Sequence, residues 1–191
     1  MKMFRDYVSA AIALLVIILS GGALEAQLYE LELDLDGVLG NGPDTAWVSQ
    51  GECFDVDVWA TGEGRGLYLV QATVCNVDEA LDWCGWEVGP IAEECMLIDT
   101  LTTVSGPCVT VLGNGGFLFC ATSPPFLFAT MTYMAAGDEV LASMTIDLGN
   151  SIWIDDAYTI GSFVDGISAF VQIGTTAVVE SSWGSIKNLF R

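Results

Sequence analysis

The chain has no histidine, and only five basic side chains stand against 25 acidic ones, a formal charge of −20 over 191 residues. The first absence excludes Ser–His and Cys–His relays and imidazole metal sites. The second excludes nucleic acid as a partner, because a surface of that sign repels phosphate backbones. No Asn-x-Ser/Thr sequon occurs, so N-glycosylation is not expected. Beyond the N-terminal segment, no apolar run reaches spanning length without a charge or a turn. What the chain does have is apolar surface: 52% hydrophobic residues, with 21 glycines and six cysteines. That content rules out disorder, and the length suits one domain with a sizeable core.

Lys2 and Arg5 precede an apolar stretch over residues 8–19, and small residues follow at Ser20, Gly21, Gly22, Ala23 and Ala26. This is the order of a secretory signal peptide cleaved after Ala23 or Ala26. An uncleaved anchor helix over 8–24 is the alternative, at the short end of bilayer-spanning length. Residues 1–26 then read as a leader, 27–175 as the folded domain and 176–191 as a tail. The expected location is secreted, extracellular or at the cell surface, with no membrane span once the leader is removed. After Ala26 only Arg65, Lys187 and Arg191 remain basic. Such a surface attracts divalent cations or basic partners.

All six cysteines, Cys53, Cys75, Cys84, Cys95, Cys108 and Cys120, lie beyond the leader. An even count in an exported chain predicts up to three disulfides, with fifteen connectivities open. Zinc needs thiolates two to four residues apart, a spacing not found here. Proximity suggests Cys75 with Cys84, Cys95 with Cys108, and Cys53 with Cys120.

Tyr29, Leu31, Leu33 and Leu35 alternate with acids, and Phe54, Val56 and Val58 alternate with Cys53, Asp55, Asp57 and Trp59. A period of two is the signature of strands. Further β-rich runs cover 67–75, 108–112, 117–120, 126–133, 140–148, 151–154 and 167–173. Gly113-Asn114-Gly115-Gly116 reads as a hairpin turn, and 62–66 as a mobile hairpin loop. About nine short strands predict an all-β jelly-roll sandwich, with short helices at 78–83 and in the tail.

Several of these segments resemble cohesin-like domains. Gln50-Gly51-Glu52 followed by Phe54, Val56 and Val58 is similar to the family's first conserved strand. Gly66-Leu67 opening the run to Val74 is similar to its Gly-Leu turn and next core strand. The run from Val140 to Ile146 is similar to its Leu-Ala-x-Leu-Thr-Phe strand. Asp78-Glu79-Ala80-Leu81-Asp82-Trp83 stands where the family has Asp-Pro-x-x-Leu-x-Phe, without the proline, and the six cysteines are foreign to cellulosomal members. The likeness covers about 28–175. It implies a non-catalytic extracellular jelly roll, kin to carbohydrate-binding modules, in a family whose members bind a dockerin or belong to larger surface proteins.

Candidate ligand-binding residues follow from exposed aromatics and acids. Asp55, Asp57 and Trp59 share one strand face, and Trp83 and Trp86 flank Cys84 in a loop that a disulfide would stiffen. Asp34-Leu35-Asp36-Gly37 fails the twelve-residue spacing of a calcium loop, so no metal residue is assigned and no cofactor is expected beyond weak surface calcium. Asp155-Asp156 and Glu93-Glu94 would point to opposite faces of a strand and chelate poorly. The chain is expected to be a non-catalytic binding or adhesion module for an extracellular protein or a glycan. The alternatives are a structural subunit of a surface layer or filament, assembling through the Trp183–Arg191 tail, and a carboxylate-based glycoside hydrolase.

Overall fold

The computed structural model describes residues 27–40, 43–89, 99–114, 121–138 and 140–174. The expected leader, the tail, Glu93-Glu94, Cys95, Cys120 and the 117–120 strand lie outside them. The described residues form thirteen strands rather than about nine: β1 (Leu28–Asp34), β2 (Asp44–Ser49), β3 (Cys53–Glu63), β4 (Leu67–Asn76), β5 (Leu81–Val88), β6 (Asp99–Ser105), β7 (Cys108–Asn114), β8 (Phe126–Ala135), β9 (Leu141–Ile146), β10 (Ile152–Asp155), β11 (Ile160–Ser162), β12 (Asp165–Ile167) and β13 (Ala169–Gly174). One sheet runs β12-β1-β3-β8-β5. The other runs β11-β10-β4-β9-β13-β2, with β7 on the second edge of β4 and β6 beyond β7.

The alternation read from the sequence decides which side chains meet between the sheets. Tyr29, Leu31 and Leu33 of β1, Val56, Val58 and Ala60 of β3, and Met131 and Tyr133 of β8 are buried. They face Val70, Ala72 and Val74 of β4, Val111 of β7, Met144 of β9 and Val171 and Ile173 of β13, which are buried too. Each medium-sized apolar side chain buried in this way contributes roughly 1.5–3 kcal/mol. Tyr29 joins the layers directly. Its ring meets Trp153 of β10 edge-on at 4.7 Å, and its hydroxyl donates to the Arg65 carbonyl at 2.7 Å.

That contact corrects the reading of 62–66 as a mobile hairpin loop. β3 and β4 belong to different sheets, so the segment is a crossover. Gly64 sits against the Tyr29 ring, where a Cβ would come within 2.5 Å of the hydroxyl, and Gly62 has φ +102° with a Cβ position 2.0 Å from the Leu28 carbonyl oxygen. Only glycine fits at Gly62, for both reasons.

The 78–83 segment is not helical. Asn76 accepts a turn hydrogen bond from Glu79, and β5 starts at Leu81. Strand pairing to β8 overrides the weak helical pattern, since an edge strand gains a full ladder of hydrogen bonds there. Gly113 and Asn114, read as the first half of a hairpin turn, end β7, and Gly115 and Gly116 lie outside the described residues.

The expected cysteine pairings are also corrected. Cys75 bonds Cys108, with S–S 2.02 Å, because the two stand directly opposite on β4 and β7. Cys84 therefore cannot take Cys75, nor Cys95 take Cys108, and Cys53 and Cys84 are free thiols. Proximity in sequence misleads because cross-strand register sets which sulfurs meet. The bond closes a loop of 33 residues, which in the chain-entropy model is worth about 4 kcal/mol. Replacing both Cys75 and Cys108 by alanine is expected to lower the unfolding free energy by about that amount in urea titrations, with a steeper slope because the unfolded chain is no longer cross-linked. A loss under about 1 kcal/mol would show that the loop is already restricted in the unfolded chain.

Candidate binding face

The outer face of the five-stranded sheet is built by β3, β8 and β5. With Val56 and Val58 turned inward, Asp55 and Asp57 point out, and each lies beside a threonine of β8. Thr132 donates to Asp55 Oδ1 at 2.7 Å and Thr130 to Asp57 Oδ1 at 2.6 Å. On the far side of β8, Gly85 pairs with Thr132 and Glu87 with Thr130. A Cβ added at Gly85 would meet nothing within 4 Å. The centre of this face is thus open at Gly85, and it carries carboxylates and hydroxyls. Among the described residues the one basic side chain is Arg65, in an exposed ion pair with Asp156 at 3.5 Å. The face is uniformly acidic.

The expected aromatic platform is not formed. Trp83 and Trp86 pair with the inward-facing Tyr133 and Met131 of β8, so both indoles pack against the core. Trp86 also donates to Thr102 Oγ1 at 2.6 Å. A β-bulge between Trp83 and Gly85 turns Cys84 outward and keeps both tryptophans on the inner side. Trp59 lies on the outer face between Glu32 of β1 and Leu127 of β8, half-buried, with its indole nitrogen sealed from solvent and unbonded. Among the described residues Trp47 of β2 is the exposed indole, at 74%, and Leu141 lies two strands away across Gln172 on the same face of the other sheet. Its neighbours Ala46 and Val48 turn inward, which leaves Trp47 on the outer side.

Cys53 and Cys84 are neighbours from the two strands that flank β8. Desolvation, and after it the adjacent Cys53 thiol, pushes Cys84 above the ordinary thiol value. Cys84 is therefore not a ready nucleophile.

An open pocket of about 320 Å³ lies between β5 and the β6–β7 turn, lined by Asn76, Trp83, Gly106, Pro107, Val109 and Tyr133 among others. Asn76 Oδ1, Trp83 Nε1 and the Tyr133 hydroxyl are buried there without hydrogen-bond partners. These atoms lie beneath the wall, so a ligand entering as the protein stands would meet a surface of mixed polarity that includes Asp82. Asp155 is buried, accepting from Ala157 and Thr159, and Asp156 faces Arg65.

No protein-family model and no curated protein matches this chain. Solved structures do. A cohesin of an Acetivibrio cellulolyticus scaffoldin, crystallised with a dockerin, superposes with TM-score 0.59 at 16% identity, over 76% of this chain and 99% of that one. The fold is cohesin-like. A type I cohesin from Pseudobacteroides cellulosolvens gives TM-score 0.60 at 11% identity, over 80% and 96% of the two chains. A non-cellulosomal cohesin from the archaeon Archaeoglobus fulgidus gives 0.57 at 11%, over 82% and 97%. The cohesin-like sandwich here accommodates a strand-to-strand disulfide within its second sheet.

Burial pushes the Tyr133 phenol well above its ordinary value of 10.0, so it stays neutral in the fold. The stability this confers is present below pH 10 and is lost as pH rises beyond it, at about 1.4 kcal/mol per pH unit. Tyr133→Phe is expected to be nearly neutral at pH 7, since it removes an unpaired hydroxyl, and to flatten the loss of stability between about pH 10 and 11. Urea titrations across that range check it. An unchanged alkaline slope would show that Tyr133 does not govern the loss.

Proposed function

We propose that this chain is a non-catalytic extracellular module that binds a protein partner through the outer face of β3, β8 and β5. The observation that carries this is the open acidic sheet centred on Gly85, with Asp55 and Asp57 held upright by Thr132 and Thr130. An open face of this kind offers no enclosed cleft for a reaction, and its single-sign charge selects a basic complementary surface. The cohesin-like fold supports the reading, because several of the similar structures are cohesins bound to dockerins. An extracellular location is supported by the Cys75–Cys108 disulfide and by the leader read in residues 1–26. No helix among the described residues is long and apolar enough to cross a membrane.

The test is surface plasmon resonance of the immobilised protein against a dockerin panel and against proteins released from the surface of the producing cells. A partner is expected to bind less tightly as salt rises, and to lose at least about 100-fold in affinity on Gly85→Tyr or on Asp55→Lys with Asp57→Lys. The change Trp47→Ala, on the opposite sheet, is expected to leave that affinity alone. A partner indifferent to Gly85→Tyr yet lost on Trp47→Ala would move the binding site to the other sheet.

Trp47 favours a second reading, in which a glycan ring stacks on the exposed indole. Its signature is a saturable change in tryptophan fluorescence with oligosaccharide, absent in Trp47→Ala. A flat response to every sugar removes it.

A further inference from the structure

Residues 35–40, which follow β1, fold around carboxylates. Asp34 ends β1 in the five-stranded sheet, and Asp44 opens β2 in the other. Asp34, Asp36 and Asp44 each bring a carboxylate oxygen to within 4.8 Å of the others. Backbone groups fix the geometry: Asp34 Oδ1 accepts from the N–H groups of Asp36 at 2.9 Å and Gly37 at 2.7 Å, and Asp44 Oδ2 accepts from Leu35 at 2.8 Å. Glu32 draws the loop back further by accepting from Gly40 at 2.7 Å.

What remains is a carboxylate oxygen with nothing to neutralise it. Asp34 is 1% exposed, and its Oδ2 is sealed from solvent with no hydrogen bond. The neighbouring carboxyl group of Asp44, itself buried, could donate to it only if protonated. A buried anionic oxygen left in this state is costly, and among the described residues no basic side chain is available, since Arg65 pairs with Asp156.

We propose that Asp34, Asp36 and Asp44 bind one calcium ion, which fastens the end of β1 to the start of β2 and so links the two sheets at this rim. Three oxygens spanning no more than 4.8 Å fit the sphere of an ion whose oxygen ligands lie at about 2.4 Å. The exposed Asp36 leaves an open side for water to complete the six to eight ligands that calcium takes. Magnesium, with ligands at about 2.0–2.1 Å in a strict octahedron, fits this irregular trio less well. The Asp34-to-Gly37 segment fails as a linear calcium loop because its third acid comes from the next strand.

The test is calorimetric titration of the full-length, chelator-stripped protein with calcium chloride at about 150 mM potassium chloride, where diffuse attraction to the acidic surface is screened. Thermal unfolding with and without calcium is measured beside it. The expected result is one saturable site per chain and a rise in Tm of at least about 4 °C at saturating calcium. Asp36→Asn, at an exposed position that leaves the core untouched, is expected to weaken binding at least ten-fold. Asp44→Asn is expected to abolish it, and Glu63→Gln, on the surface elsewhere, to change nothing. The proposal is overturned by the absence of saturable heat and Tm shift. It is equally overturned by an affinity that Asp36→Asn and Glu63→Gln leave alike, or by magnesium binding as tightly as calcium.

Discussion

Glu32, Asp34, Asp44 and Asp155 are buried in a protein whose described residues hold a single basic side chain, and backbone N–H groups meet them instead. Removing a carboxylate from water costs several kcal/mol unless strong donors replace the solvent. With so few cations to pair with, the loops curl so that their amides point at the acids. Residues 35–40 curl around Asp34 and Glu32, the β10–β11 turn around Asp155, and the β9–β10 turn around Asp147, which accepts from Gly149 and Asn150. Scarcity of cations has thereby become a rule for loop shape.

The same constraint leaves the sheets free of long basic side chains. On the outer face of β3 and β8 the acids are steadied by threonines directly opposite, a cross-strand pairing that holds them upright. Rigid short side chains on an open sheet lose little conformational freedom on contact with a partner, which suits a recognition surface. The interior follows a separate logic of area and shape. The edge-on contact of Tyr29 with Trp153 and the two glycines of the β3–β4 crossover bring the layers close at one end. Asp34 and Asp44 stand together where β1 of one sheet ends and β2 of the other begins.

Much of this is legible in the amino-acid sequence. Strict alternation in 29–35 and 53–59 places β1 and β3 and assigns their inner and outer residues correctly, Asp55 and Asp57 among them. The runs from Gln50 to Val58, from Gly66 to Val74 and from Val140 to Ile146 together carry the cohesin resemblance. Strands β2, β5, β6, β11 and β12 escape the period-of-two reading. Asp44–Ser49 is short, Leu81–Val88 contains a bulge that breaks the alternation, and Asp99–Ser105 is a largely polar peripheral strand. The aromatic platform fails at that same bulge. One extra residue at Cys84 shifts the phase, so Trp83 and Trp86, three apart, both turn to the core.

Compartment signals, all-β character, the excess of carboxylates and the exclusion of histidine chemistry need nothing beyond the chain itself, since each depends only on composition or on neighbours one or two residues away. That Cys75 meets Cys108, that the Trp47 indole is exposed, and that Asp44 joins Asp34 and Asp36 are settled only by folding. Those outcomes depend on strand register and on which sheet a segment joins, and both are set by contacts between residues far apart in the chain.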